Sequence, residues 1–146
     1  MPGDKHSIIT GTCLCGEVTI SGSMRRETVE ACHCTMCRNW AGGPFMGVQL
    51  GSDIEIMGEA HVGRYRSSEW AERGFCKRCG THLFFRFIPA ENYSVPAGLF
   101  AEAFAPLAEE IFIDEKPPYY SFVDGAHRKT GAQIIAEAEA AGFTFP

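Results

Sequence analysis

The chain has 146 residues, 45% of them apolar, and a formal charge of −5 at pH 7. These values predict one domain over residues 1–146, since a chain of about 150 residues buries roughly 70% of its unfolded surface. The negative charge argues against a nucleic-acid surface, which needs a concentrated basic face, and the apolar runs are too short to span a membrane.

Short β-strands dominate the elements predicted in chain order. Alternation of apolar and polar residues at a period of two is typical of half-buried strands. It predicts strands at 17–21, 45–50, 53–57, 62–66, 82–88 and 110–114, and another that begins at Tyr93. Helical patterns are limited to a short turn at 35–40 and a terminal helix over 130–141, with Gly142 as its stop signal. We therefore expect a mainly β fold with short helices.

Seven cysteines form three clusters. These are Cys13 with Cys15, Cys32 with Cys34 and Cys37, and Cys76 with Cys79. Both the Cys-x-Cys and the Cys-x-x-Cys spacing suit tetrahedral zinc, which has four protein ligands in structural sites and typically three in catalytic sites. The two outer clusters together supply four sulfurs, and the middle cluster supplies three. This count predicts two zinc ions per chain, one structural and one catalytic.

A disulfide framework is the alternative interpretation of these cysteines. An odd count of seven leaves one thiol unpaired. The first residues also lack the apolar run of a secretory signal, so a reducing cytoplasm is the expected compartment. Clustered cysteines in that compartment are more often metal ligands or catalytic groups than disulfides. We therefore expect a cytoplasmic protein whose three clusters bind metal.

Three motifs surround the cysteines in a fixed order. They are Gly11-Thr-Cys-Leu-Cys-Gly-Glu-Val, Cys32-His-Cys-Thr-Met-Cys-Arg and Arg73-Gly-Phe-Cys-Lys-Arg-Cys-Gly-Thr-His-Leu-Phe. Together with the later segment 111–120, they closely resemble the glutathione-dependent formaldehyde-activating enzyme family, also called the centromere-protein-V-like family.

The resemblance implies a fold, two metal sites and a reaction. The fold is a Mss4-like zinc-binding β-sheet fold, with structural zinc at the outer clusters and catalytic zinc at Cys32, Cys34 and Cys37. The reaction is the condensation of glutathione with formaldehyde to S-(hydroxymethyl)glutathione, or its reversal, which is a carbon–sulfur lyase activity. Glutathione and an aldehyde are therefore the expected partners.

Glutathione carries two carboxylates, so we expect its binding site to contain a cation. Arg38 follows the last cysteine of the middle cluster, and arginine can hold a carboxylate through two N–H groups. Alternatively, Arg38 lies on the surface with its stem packed on Trp40. Arg38 and Trp40 are the candidate substrate contacts, and lower-ranked cations are Arg64, Arg66 and Arg73. His33, between two ligands, is expected to pack or to hydrogen-bond near the metal site.

Three function classes remain open from the sequence. The first is an enzyme that acts on an aldehyde adduct of glutathione or of a smaller thiol. The second is a non-catalytic zinc module that binds a protein partner, which predicts zinc without thiol exchange and an exposed apolar patch. The third, a reductase of the methionine-sulfoxide type, ranks last because it needs a redox cysteine outside the three clusters. A homo-oligomer is compatible with all three.

Overall fold

A computed structural model describes residues 7–101, 105–123 and 125–145. The strands in chain order are β1 (Ile8–Thr12), β2 (Thr19–Ser23), β3 (Val29–Cys32), β4 (Phe45–Gly51), β5 (Ile54–Met57), β6 (Val62–Ser68), β7 (Ala71–Cys76), β8 (His82–Phe87), β9 (Asn92–Pro96), β10 (Leu107–Ile111) and β11 (His127–Lys129). The α-helices are α1 (Thr35–Ala41) and α2 (Gly131–Ala140). Strand residues outnumber helical ones, so the predicted mainly β fold is confirmed.

The chain forms two compact units, and the first contains residues up to Glu27 and from Val48 to Phe104. Within it, β1, β2 and β5 form a three-stranded antiparallel sheet in that order. A second set of strands has the order β4-β9-β8-β7-β6. The fully buried apolar side chains of the first unit include Val18, Ile20, Val48, Leu50, Leu83, Phe84 and Val95. The hairpin turns β1–β2 and β7–β8 carry the two outer cysteine clusters.

The second unit contains residues 28–47 and those after Phe104. Its strands have the order β11-β10-β3-β4, and β10 runs parallel to both of its neighbours. Both α-helices belong to this unit. Its buried residues include two ionisable side chains, His33 and Glu110, each with 0% exposure. Buried ionisable groups need hydrogen-bond partners, so this unit depends on polar contacts as well as apolar packing.

Helix α1 is fixed at both ends by contacts close to the middle cysteine cluster. The Cys34 side chain accepts a hydrogen bond from the Cys37 backbone N–H at 3.3 Å, as an N-cap residue does. The Glu115 carboxylate accepts from the Thr35 backbone N–H at 2.8 Å and from its hydroxyl at 3.0 Å. Gly42 ends the helix with φ +82°, a left-handed conformation that glycine adopts without strain. These caps hold the short helix in place beside β3.

The terminal helix also forms as the sequence predicts. Thr130 and Gln133 form a capping box at the start of α2, and Gly142 has φ +98° just after its end. The prediction of a strand at 110–114 is wrong in its bounds, because β10 ends at Ile111 and Phe112 has a left-handed φ of +53°. Four strands were missed, β1, β3, β7 and β11.

The two units interleave along the sequence, as segments of one domain do, and the limits of that domain at residues 1 and 146 stay a prediction. Among the described residues, no helix has the length and apolar character that a membrane crossing requires.

Candidate active site

The two outer cysteine clusters come together as one four-sulfur cluster. Cys13, Cys15, Cys76 and Cys79 have ligand atoms that all lie within 4.8 Å of one another. The Sγ atoms of Cys13 and Cys15 are 3.6 Å apart, and those of Cys15 and Cys76 are 3.7 Å apart. These separations exceed a disulfide bond of about 2.05 Å. They are close to the edge of about 3.8 Å that four zinc–sulfur bonds of about 2.3 Å define in a tetrahedron.

Two hairpin turns present these four sulfurs. The second cysteine of each pair is followed by a glycine with positive φ, Gly16 at +86° and Gly80 at +80°, which lets the chain fold back tightly. The Thr81 hydroxyl accepts from the Leu14 backbone N–H at 3.1 Å and so connects the two turns. Hydrogen bonds from the side chain and backbone of Thr81 lower the pKa of Cys79 to about 5, which favours the thiolate that binds metal.

The middle cluster is a three-sulfur cluster of Cys32, Cys34 and Cys37, whose sulfurs also lie within 4.8 Å of one another. Cys32 ends β3, and the other two lie at the cap and in the first turn of α1. Hydrogen bonds with Cys34 and Cys37, followed by burial, raise the pKa of the Cys32 thiol. Crowded thiolates repel one another, and a divalent cation would remove that penalty. The donor set therefore fits a soft or borderline cation such as zinc.

His33 is fully buried between two of these cysteines and uses both ring nitrogens. Its Nε2 lies 2.8 Å from Oε1 of Glu110, and its Nδ1 lies 2.7 Å from the hydroxyl of Tyr120. The other carboxylate oxygen of Glu110 accepts from Nε of Arg128 at 3.1 Å. We call the four residues Arg128, Glu110, His33 and Tyr120 the polar chain.

The polar chain decides what His33 can do at the cysteine cluster. Nε2 is engaged by the buried Glu110 carboxyl group at 2.8 Å. Nδ1 is engaged by Tyr120, whose ring also stacks on the imidazole with centroids 5.5 Å apart. Neither nitrogen is left to bind a metal. Among the described residues, the middle cluster therefore has three candidate protein ligands, as its cysteine count predicts.

Arg38 lies on α1 in the same unit as the middle cluster. Its Nε donates to the backbone carbonyl of His33 at 3.0 Å, which orients the guanidinium. The terminal Nη groups have no hydrogen-bond partner among the described residues. Arg38 also acts on Tyr120, because its positive charge offsets part of the rise in the Tyr120 pKa that burial causes. The Nε–H group of Arg38 therefore orients the guanidinium, and its Nη groups stay available to an anion.

The remaining predicted contacts have more ordinary surroundings. The Trp40 ring packs against Phe45 with centroids 5.7 Å apart. Arg64 forms ion pairs with Glu59 and Glu72, and Arg66 donates to the backbone carbonyls of Ser68 and Glu69, so neighbours occupy both guanidinium groups. The roles of Arg38 and Trp40 in binding substrate stay predictions.

Buried Arg73 lies in the first unit. It donates to the Ser67 hydroxyl at 3.1 Å, and its guanidinium lies over the Phe85 ring at 5.0 Å.

Sequence reasoning missed Glu110 and Tyr120 as site residues. Glu110 looked like the polar position of an alternating strand, and Tyr120 lay in a segment noted only for its family resemblance. Lys116 was missed as well. Its ammonium has three donors, and they reach the carbonyls of Pro117 and Tyr120 and the Ser121 hydroxyl, at 3.0, 2.5 and 3.1 Å. Lys116 therefore holds the loop that carries Tyr120.

Replacing Glu110 with alanine is expected to lower the free energy of unfolding by about 2 to 3 kcal/mol. The variant leaves a buried imidazole nitrogen without its hydrogen-bond partner, and unsatisfied buried groups cost about 1 to 3 kcal/mol, to which the cavity adds. Urea unfolding at fixed zinc concentration measures the change. Glu137→Ala is the control, because Glu137 forms a surface ion pair with Lys129 that is worth no more than about 1 kcal/mol. Equal stability of the two variants would contradict a stabilising role of the polar chain.

Comparisons with known proteins show similarities of sequence and of fold. The family model for the glutathione-dependent formaldehyde-activating enzyme matches residues 8–115. An uncharacterized lyase of Schizosaccharomyces pombe is 34% identical over 127 residues, which cover 86% of this chain and 93% of that protein. A proposed glutathione-dependent formaldehyde-activating enzyme of Halomonas elongata is 29% identical over 86 residues, 53% of this chain and 55% of that one.

A solved structure shares the fold. The crystal structure of a Rhodobacter sphaeroides protein, a structural genomics target, superposes with a TM-score of 0.58. It covers 68% of this chain and all of its own, at 21% sequence identity. At that identity the similarity concerns the fold alone, and it supports the predicted fold class.

Proposed function

Because the chain belongs to the glutathione-dependent formaldehyde-activating enzyme family, we propose that it is a zinc-dependent carbon–sulfur lyase of the S-(hydroxymethyl)glutathione synthase type. The relative from Schizosaccharomyces pombe is named a lyase, which supports this class. The proposed reaction joins the glutathione sulfur to the formaldehyde carbon, and the thiol proton ends on the former carbonyl oxygen. Atoms and electrons balance without an oxidant or a reductant.

One observation carries the proposal, the three-sulfur cluster of Cys32, Cys34 and Cys37. All other cysteines of the chain belong to the four-sulfur cluster, and both nitrogens of the adjacent His33 are engaged elsewhere. Three protein ligands with a fourth position available to substrate are typical of catalytic zinc. Zinc held there would supply a position at which a thiol has a lowered pKa or an aldehyde oxygen is polarised.

The chain's own residues would bind and orient the thiol. Arg38 offers its Nη groups to a glutathione carboxylate, and Trp40 is proposed as a second contact for the substrate. The four-sulfur cluster would hold the second, structural zinc. A reducing cytoplasm suits this chemistry because it keeps the cysteines as thiols. That location, the two zinc ions and a homo-oligomeric state are parts of the proposal.

The test is the rate of exchange between free glutathione and its formaldehyde adduct at equilibrium, followed by NMR exchange spectroscopy. We expect the purified zinc protein to accelerate the exchange above its rate in buffer. Arg38→Met is expected to raise the KM for glutathione about tenfold, the lower end for a hydrogen bond to a charged group, since Arg38 is partly exposed. The KM for cysteamine, a thiol without carboxylates, should not change.

Arg78→Met is the matched control, because it removes an exposed arginine beside the other cysteine cluster. An unchanged KM for glutathione in Arg38→Met would remove Arg38 from the binding site. A protein that binds zinc but does not accelerate exchange with either thiol would overturn the proposed lyase and favour the non-catalytic zinc module.

A further inference from the structure

The Tyr120 hydroxyl has a hydrogen-bonding position that the polar chain does not use. A phenol offers one donor and two acceptor positions. His33 Nδ1 engages one of them at 2.7 Å. Whichever of the two groups carries the shared proton, the Tyr120 oxygen keeps at least one position for another partner. No other hydrogen bond of this hydroxyl occurs among the described residues.

The surroundings hold this hydroxyl in one place. Its ring stacks on His33, and the backbone carbonyl of Tyr120 accepts from Lys116, whose ammonium also lies 5.3 Å from the centre of the ring. In the rest of the polar chain, Glu110 and His33 are fully buried, and Arg128 donates a hydrogen bond to the second carboxylate oxygen of Glu110. A group fixed by packing and by hydrogen bonds at several points is preorganised for contact with a ligand.

Tyr120 is linked to the cysteines of the proposed reaction centre through the residue that it hydrogen-bonds. Its partner His33 is flanked in sequence by Cys32 and Cys34. Burial raises the pKa of the Tyr120 hydroxyl, and the charges of Arg38 and Cys32 act on it in opposite directions. Tyr120 is only partly buried, whereas His33 and Glu110 are inaccessible. Of these three residues, only Tyr120 is accessible to a small molecule.

We propose that the Tyr120 hydroxyl hydrogen-bonds to the oxygen of the aldehyde-derived group in the thiol adduct, with His33, Glu110 and Lys116 as positioning residues. The hydroxymethyl group of the adduct can both donate and accept a hydrogen bond. It can therefore pair with the Tyr120 hydroxyl whether the phenol has a donor or an acceptor position left. This inference rests on the proposed function and extends it to substrate class. The site would select hydroxyl-bearing thiol adducts over thioethers of the same shape.

The test compares two ligands that differ by one group. S-(hydroxymethyl)glutathione, equilibrated from glutathione and formaldehyde, and S-ethylglutathione have the same shape, with a methyl group in place of the hydroxyl. Ligand-observed NMR titration of the zinc protein gives a dissociation constant for each. In Tyr120→Phe we expect the preference for the hydroxyl ligand to fall about two- to tenfold, the value of one hydrogen bond. The affinity for S-ethylglutathione should stay unchanged, whereas a purely structural role would weaken both ligands.

Tyr119→Phe is the matched control, because it removes the same hydroxyl from the exposed neighbouring residue and should leave the ratio unchanged. Lys116→Met is a second variant, which keeps the hydroxyl but releases its loop, and we expect it to lower the same ratio. Equal ratios in the wild type, Tyr120→Phe and Lys116→Met would overturn the inference while leaving the proposed function intact. If the wild type binds neither ligand, the proposed function fails and the inference fails with it.

Discussion

Replacing Cys76 with serine is expected to unfold the protein at room temperature. Cys76 has 0% exposure, and its sulfur belongs to the cluster that joins the β1–β2 turn to the β7–β8 turn. Structural zinc contributes about 10 to 16 kcal/mol in zinc-dependent domains, whereas whole domains are stable by only about 5 to 15 kcal/mol. Losing one of four ligands therefore removes a contribution comparable to the entire stability of the fold.

Circular dichroism and the dispersion of amide resonances measure this outcome, with zinc content determined on the same sample. A strong chelator added to the wild type should produce the same loss of structure, and excess zinc should reverse it. Thr12→Ser is the control, because it changes an exposed residue beside the cluster without touching a ligand. A folded Cys76→Ser protein that retains both zinc ions would exclude a structural role for the four-sulfur cluster.

Replacing Cys34 with serine is expected to abolish exchange activity while the protein stays folded. Serine at this position still caps α1, because its hydroxyl can accept the Cys37 backbone N–H as the Cys34 sulfur does. A hydroxyl is a poor substitute for a thiolate as a zinc ligand. We expect the zinc content to fall from about two to about one ion per chain and the exchange rate to fall at least about a hundredfold.

Elemental analysis of freshly reduced protein and NMR exchange spectroscopy measure the two effects. Met36→Ser is the matched control, since Met36 lies between the same ligands on α1 and has no sulfur in the cluster. Cys34→Ala should lose the metal in the same way and also about 1 kcal/mol of stability, because alanine cannot cap the helix. Full activity in Cys34→Ser would show that the reaction occurs elsewhere.

The ligand sets were accessible to sequence reasoning because they depend on local chemistry. Short cysteine spacings bring sulfurs together within one turn, and the count of four plus three leaves few ways to share them. The structure places Cys13 and Cys15 with Cys76 and Cys79, and keeps Cys32, Cys34 and Cys37 together. The caps of α2 were accessible for the same reason, since Thr130 and Gln133 satisfy backbone groups within their own turn.

The environment of the site was not accessible in this way. The alternation at 110–114 predicts that Glu110 faces solvent and its apolar neighbours are buried, yet Glu110 is the fully buried residue and Ile111 is only partly buried. Its carboxylate is held by Arg128 of β11 and by His33, which follows the last residue of β3. No local pattern encodes an ionisable side chain that is buried because residues distant in the sequence form hydrogen bonds with it.

The sequence by itself determined the mainly β character, the short helices and the division of the cysteines, because each follows from periodicity or spacing within a few residues. The tertiary structure alone decided that the two ring nitrogens of His33 contact Glu110 and Tyr120, so that neither is left for a metal. Both depend on the parallel pairing of β10 with β3, which brings Glu110 opposite Ala31. Hydrogen bonds between residues about 80 positions apart exist only once that sheet has formed.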